Sequence, residues 1–206
     1  MTSEMHRLLP LCRVSFAIGA LRPDVLDRAL DACAASANLD NSTVIEALIQ
    51  SVPYAGFPGV IEALGRWRAR SMTERTSLNA PPDPPVTSRT AKGHEIFSLI
   101  YGHVSDRILD ELRAHHPSLA DWILDFAYGR VMARAQLPLR ELEALGVSSL
   151  IGQRRAAPLR SHVRGALRTG WEPADLELLC DDLARECGAE HREVLQLVRE
   201  MTASEP

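Results

Sequence analysis

Apolar residues recur along this chain at intervals of three and four, the spacing that puts side chains on one face of an α-helix. Over 4–19, Leu8, Leu9, Cys12, Phe16 and Gly19 share a side, with an irregularity expected at Pro10. Over 24–37, Val25, Leu26, Ala29, Leu30 and Cys33 repeat in the same way. A third helix is predicted over 43–52, carrying Val44, Ala47 and Leu48 and stopping at Pro53, with Thr43 and Glu46 at capping-box spacing. The string YAGFPG then reads as a turn, after which Pro58 opens a helix through Ile61, Leu64, Gly65 and Arg68 to about Thr73.

Between Ser77 and Arg89 the chain reads SLNAPPDPPVTSR. Proline lacks the N–H a helix needs, so this stretch is expected to be an extended linker between an N-terminal unit, 1–76, and a C-terminal one, 91–206. Helices follow at about 90–102, with Ile96, Phe97, Ile100 and Tyr101, and at 105–115, with Ile108, Leu109 and Leu112. Ser118 is expected to cap SLADWILDFAYGRVMAR, whose Leu119, Trp122, Ile123, Phe126 and Val131 form an amphipathic face. The last two helices are expected from Pro173 to about Cys187 and from Glu190 to about Met201. Only 5% of residues are aromatic and β-branched runs are scarce, so no strand pattern competes and the fold class is all-α.

The segment from Leu137 to Trp171 differs because its apolar faces carry titratable groups. Its first helical pattern holds Leu139, Leu142, Gly146, Val147 and Leu150, with Glu143 on the same stripe. Its second runs from Pro158 to Gly170, and His162 falls within the stripe Leu159, Val163, Ala166 and Leu167. A buried unpaired carboxylate is costly, so Glu143 and His162 should either meet or line a cleft. A neutral imidazole exchanges a proton near pH 7, and a neighbouring carboxylate fixes its tautomer, which makes general acid/base chemistry possible. The plainer alternative is a pair of core polar residues that satisfy one another.

Composition narrows the setting. The net charge of -4 gives no basic excess, so nucleic acid is not an expected partner. Apolar runs are too short to span a bilayer, and Glu4 and Arg13 mark the N-terminus as a first helix and not a signal peptide. Four scattered cysteines do not make a disulfide framework, and the cytoplasm is the default compartment. Cys180 and Cys187 share a helix face but lie about two turns apart, too far to bridge. His94, His103, His115 and His116 show no metal-ligand arrangement. Of the arginines, Arg154, Arg155, Arg160, Arg164 and Arg168 form a local basic patch, of which Arg160, Arg164 and Arg168, at four-residue spacing, read as a solvated face. Arg134 and Arg140 flank the Glu143 helix and are the candidates for a substrate carboxylate.

The strings SHVRGALRTGW, LPLRELEALGVSSLIG and FAYGRVMARAQL together resemble the carboxymuconolactone decarboxylase family, which includes the alkylhydroperoxidase-D-like proteins. QSVPYAGFPGVIEAL at 50–64 looks like the helix-end signature of that same family, placed about a hundred residues ahead of where a single-repeat member carries it. The resemblance implies an alkylhydroperoxidase-D-like fold of two tandem repeats. An offset of 132 residues lays Leu30 on His162, and Leu11 falls where Glu143 stands, so the first repeat should be catalytically inert. It further implies that His162 transfers a proton beside Glu143, without a cofactor or metal, on a small carboxylated lactone or enone. Tyr54 could hydrogen-bond a ligand oxygen, and subunits should assemble into a homo-oligomer. The peroxidase members carry a Cys-x-x-Cys pair where this chain has Arg155 and Pro158, which argues against thiol peroxidase activity. A non-catalytic binding or scaffold protein of the same fold is the alternative, separable by whether Glu143 and His162 border a substrate-sized cavity.

Overall fold

Every regular element of the computed structural model is helical among the described residues, 3–71 and 81–204. The order is α1 (Ser3–Ala20), α2 (Pro23–Ala35), α3 (Asn41–Gln50), α4 (Val52–Arg70), α5 (Val86–Tyr101), α6 (Ser105–His115) and α7 (Leu119–Trp122). A π-helix, Ile123–Met132, continues directly from α7, followed by α8 (Leu139–Gly152), α9 (Ala156–Arg168), α10 (Pro173–Ala184) and α11 (Arg192–Ala203). Short 3-10 turns occupy Gly102–Val104 and Ala189–His191.

Helix α8 is the central element. It is buried from Glu141 through Gly152, with α1 along one flank and α9 along another. The all-round burial explains why polar groups sit on it without an outward face: each must find a partner inside. Glu141 finds Arg7 of α1, and Glu143 finds His162 of α9. Glycine and serine permit the approach of α1. An added Cβ at Gly19 would overlap the Ser149 carbonyl, and one at Gly152 would overlap that of Phe16. One apolar cluster runs through elements on both sides of the proline-rich segment, from Phe16 and Leu30 to Phe97, Leu145 and Leu159.

Several local expectations are corrected. Helix α3 starts at Asn41, capped by Asp40, whose Oδ1 accepts from the Thr43 N–H at 2.7 Å; Glu46 turns instead to Arg134. Aspartate reaches its N3 amide with a carboxylate, a stronger acceptor there than the Thr43 hydroxyl. The YAGFPG turn contracts to Gly56, whose φ of 76° breaks α4 while Val52–Ala55 keep a helical turn before it. Only glycine tolerates that φ freely. The proline-rich stretch lies partly outside the described residues (72–80); residues 81–85 are irregular, but 86–89 are already helical, because no proline follows Pro85. The end expected near Thr73 also falls outside the described residues, α4 ending at Arg70. Helix α10 stops at Ala184, short of Cys187.

The amphipathic stretch after Ser118 differs most. From Ile123 it winds as a π-helix, with the Ala133 N–H bonding the carbonyl of Tyr128 five residues back. It packs against α5 with backbones nearly touching at Gly93 and Gly129. An added Cβ at Gly93 would overlap the Leu124 carbonyl oxygen, and one at Gly129 the carbonyls of Arg89 and Leu124. The wider winding turns Tyr128 inward to meet Tyr101. No helix among the described residues is long and apolar enough to cross a membrane.

Candidate functional site

Glu143 projects from the middle of α8, and His162 faces it from α9, with Nδ1 3.1 Å from Oε2. Both are buried, at 0% and 5% exposure. An ionised carboxylate can only accept, so Nδ1 carries the hydrogen in that pairing and Nε2 becomes the nitrogen free to exchange a proton. Nε2 makes no hydrogen bond among the described residues. The second oxygen of Glu143, Oε1, is buried and unpartnered. The pair exists because two glycines leave room for it. A Cβ at Gly165 would overlap Glu143 Oε2, and one at Gly146 would lie 2.5 Å from the Tyr54 hydroxyl.

Two of the three tyrosines of the chain lie against this pair, and the third, Tyr128, joins them through Tyr101. Tyr54, from the short turn ahead of Gly56, sets its ring edge-on to His162 at 5.3 Å between centroids. Tyr101, at the end of α5, lies 6.2 Å away in a similar attitude, and its hydroxyl is 3.1 Å from that of Tyr128. Burial, and then the Glu143 carboxylate among other neighbours, pushes the Tyr54 hydroxyl well above its ordinary value. Burial likewise raises Tyr128 well above its ordinary value, and Tyr101 to about 12. The hydroxyls are therefore hydrogen-bond donors and not bases at neutral pH. Spectrophotometric titration of the native protein should show no tyrosinate band below about pH 11. Because these folded-state values lie above the ordinary 10.0, the stability they carry is complete below pH 10 and falls as pH rises toward 12. A native tyrosinate titrating near pH 10 would contradict the burial of the ring of hydroxyls.

Gln50, which the sequence reading passed over, closes another side. It is 1% exposed and lies close to the Tyr54 hydroxyl, whose ionised form it favours, without a hydrogen bond of full geometry. Its position at the end of α3 carries no sequence signal, since an amide at a helix terminus is ordinary. Tyr101 was readable only as an apolar-face residue, and Tyr128 fell off the apolar face expected for its helix.

Of the other expected residues, Tyr54 alone is brought to the pair. Arg134 is held by Glu46 at 3.0 Å, with both side chains nearly buried. Arg140 lies over the Trp171 ring at 5.5 Å, within 3.5 Å of Glu4 and 4.0 Å of Asp175. Neither has a hydrogen bond or ion pair to Glu143 or His162. Arg168, expected on a solvated face, donates to the Ile100 carbonyl at 2.8 Å and so ties α9 to the end of α5.

The cysteines are all free, and burial pushes Cys12, Cys33 and Cys180 to about 12 and Cys187 to about 11. A thiol must ionise to attack a peroxide. Native protein at pH 7.5 should thus react with an aromatic disulfide reagent far more slowly than unfolded protein. It should show no thiol-dependent peroxide turnover; turnover lost on Cys187→Ser would reverse this reading.

No family model matches the chain. It is similar to Peroxisomal protein 2 of Schizosaccharomyces pombe (strain 972 / ATCC 24843), 29% identical over 160 residues, which cover 71% of each protein. Peroxisomal protein 2 of Saccharomyces cerevisiae (strain ATCC 204508 / S288c) is 25% identical over 158 residues, covering 64% of this chain and 56% of that protein. These likenesses span most of the helical array and name a protein, with no chemistry attached to the name.

Proposed function

We propose that this chain is a cofactor-free lyase or isomerase of the carboxymuconolactone decarboxylase type, acting on a small carboxylated lactone or enone. The observation that carries the reading is the buried Glu143–His162 pair, with an unbonded Nε2 and the rings of Tyr54 and Tyr101 edge-on to the imidazole. The free Nε2 of a histidine whose Nδ1 is held by a buried carboxylate is the feature a proton-transfer role needs. In the decarboxylation, the electrons of the breaking C–CO2⁻ bond pass into the conjugated carbonyl as CO2 departs. A tyrosine hydroxyl donates to the resulting enolate oxygen, and His162, protonated at Nε2 from solvent beforehand, delivers that proton to carbon and returns to the Nδ1–H tautomer. Glu143 keeps the ring in the reactive tautomer and stabilises the imidazolium.

The tandem-repeat architecture belongs to the same proposal. In its support, α2 and α3 offset by 132 residues fall on α9 and α10, and Gly56 falls on Gly188. Helices α1 and α8 each end beside a left-handed residue, Leu21 and Arg154. Leu11 and Leu30 are wholly buried at the positions that Glu143 and His162 hold in the second half, consistent with one inert repeat. A homo-oligomer is also expected. Phe57 and Ile61 are 59% and 65% exposed one turn apart on α4, and light scattering should give a mass above that of one 22.7 kDa chain. The cytoplasm is the compartment proposed from composition; the names of the two similar proteins make the peroxisome the second reading.

The test is turnover of carboxylated lactones and enones by wild type against His162→Ala and Glu143→Gln. Activity lost in both variants supports the reading. Activity retained by a folded His162→Ala protein overturns it in favour of a non-catalytic scaffold.

A further inference from the structure

A cleft of about 420 Å³ opens where α1 and α8 end, and Tyr54 forms part of its wall. Tyr54 thus has two neighbours, the cleft and the His162 ring 5.3 Å away. The Gln153 side chain, also in the cleft, donates to the Tyr54 carbonyl at 3.0 Å and holds that wall in place.

The cleft's charges are unevenly engaged. Arg22 is paired with Asp24 at 2.8 Å. Arg154 and Arg155 also line the cleft and have no ion pair or hydrogen bond from their side chains among the described residues. Glu190 is the acidic residue in the lining, so two free guanidinium groups face one carboxylate. That balance favours a singly charged anion over a doubly charged one. Arg154 is held at a φ of 57°, a place after a helix end that glycine ordinarily fills, so an arginine is kept there at a conformational cost.

The interior offers an anion the opposite environment. Arg134 is paired with Glu46, and Arg140 lies over Trp171 near Glu4 and Asp175, so neither guanidinium reaches Glu143. A carboxylate pushed in beside Glu143 would meet a like charge without compensation.

We propose that the cleft is the docking site for the carboxylate of the substrate, held between Arg154 and Arg155, while the uncharged end of the same small molecule passes Tyr54 to reach Glu143 and His162. The assignment of the inner end rests on the reading of that pair as reactive. It places the carboxylate at the solvent side, from which CO2 can depart, and the far, vinylogous carbon of the delocalised enolate at the His162 side, where it takes the proton.

The experiment is calorimetric titration of the full chain with 5-oxotetrahydrofuran-2-carboxylate and with its uncharged carboxamide, the same ring with and without the charge. The carboxylate should bind at least tenfold more tightly than the amide and than inorganic phosphate, and more weakly as NaCl is raised. Arg155→Glu and Arg154→Gly should each weaken it tenfold or more, and Arg154→Gly should do so with no fall in melting temperature, since glycine relieves the left-handed backbone. Equal binding of acid and amide, tighter binding of phosphate, no binding of the acid at millimolar concentration, or indifference to both arginines would overturn the proposal. The His162→Ala protein keeps the two readings apart. Arginine-dependent binding that persists there, with no turnover by wild type, leaves the docking site and removes the reactive pair. Wild-type turnover that ignores Arg154 and Arg155 does the reverse.

Discussion

His162→Ala should lose turnover and also lose about 3 kcal/mol of stability, because it strips the partner from a carboxylate with no access to water. In a chain of this size that lowers the melting temperature by roughly 6–12 °C. The stability loss comes from Glu143, which is 0% exposed and whose Oε2 has His162 as its hydrogen-bond partner. The cavity left by the ring adds a smaller part. Adding Glu143→Gln to the His162→Ala background should therefore recover about 1–2 kcal/mol, since an amide is far cheaper than a charge to leave buried. Chemical denaturation of the two single variants and the double one measures this directly. Additive losses would mean that the two side chains do not interact as their 3.1 Å separation requires.

Gly93→Ala should be at least as damaging, by about 3 kcal/mol, although it adds one methyl group and touches no titratable residue. That methyl would enter the space held by the Leu124 carbonyl oxygen and the Gly129 backbone nitrogen. Neither is the flexible tip of a side chain, so the π-helix itself would have to move away from α5. Tyr101 sits at the end of α5 and Tyr128 on the π-helix, 3.1 Å apart at their hydroxyls, so separation of the two elements also opens the wall around His162. As a control, Gly65→Ala on α4 has open space around its added Cβ and should be neutral or slightly stabilising. Comparable melting temperatures for the two alanine variants would refute the close packing at Gly93.

The helices around Glu143 and His162 were legible because a period near 3.6 reports on which residues face inward. The Leu159, His162, Val163 and Ala166 stripe is the buried face of α9 as observed. Gly170, at a φ of 97°, ends that helix in the left-handed conformation that only its position after Arg168 suggested. A polar residue on an apolar stripe must be compensated, and the requirement for a partner was therefore visible in the linear chain. The π-helix at 123–132 was not, because five-residue hydrogen bonding leaves almost the same apolar pattern as four-residue bonding over so short a span.

The sequence by itself determined that the chain is all-helical, that Glu143 and His162 face inward from adjacent helices, and that a redox cysteine pair is absent beside His162. These follow from local spacing and residue chemistry, which need no knowledge of distant contacts. Tertiary structure alone decided how the arginines divide. Arg134 precedes the Glu143 helix and Arg140 stands in its first turn, yet Arg134 pairs with Glu46, 88 positions away, and Arg140 faces Glu4 and Asp175, 136 and 35 positions away. Arg154 and Arg155 adjoin nothing acidic in the chain and stay free beside the cleft. Gln50 and the three tyrosines likewise converge from four separate elements. Which charges neutralise one another, and which buried groups are left without a partner, depends on through-space distance between remote segments, and that distance is set only when the core closes.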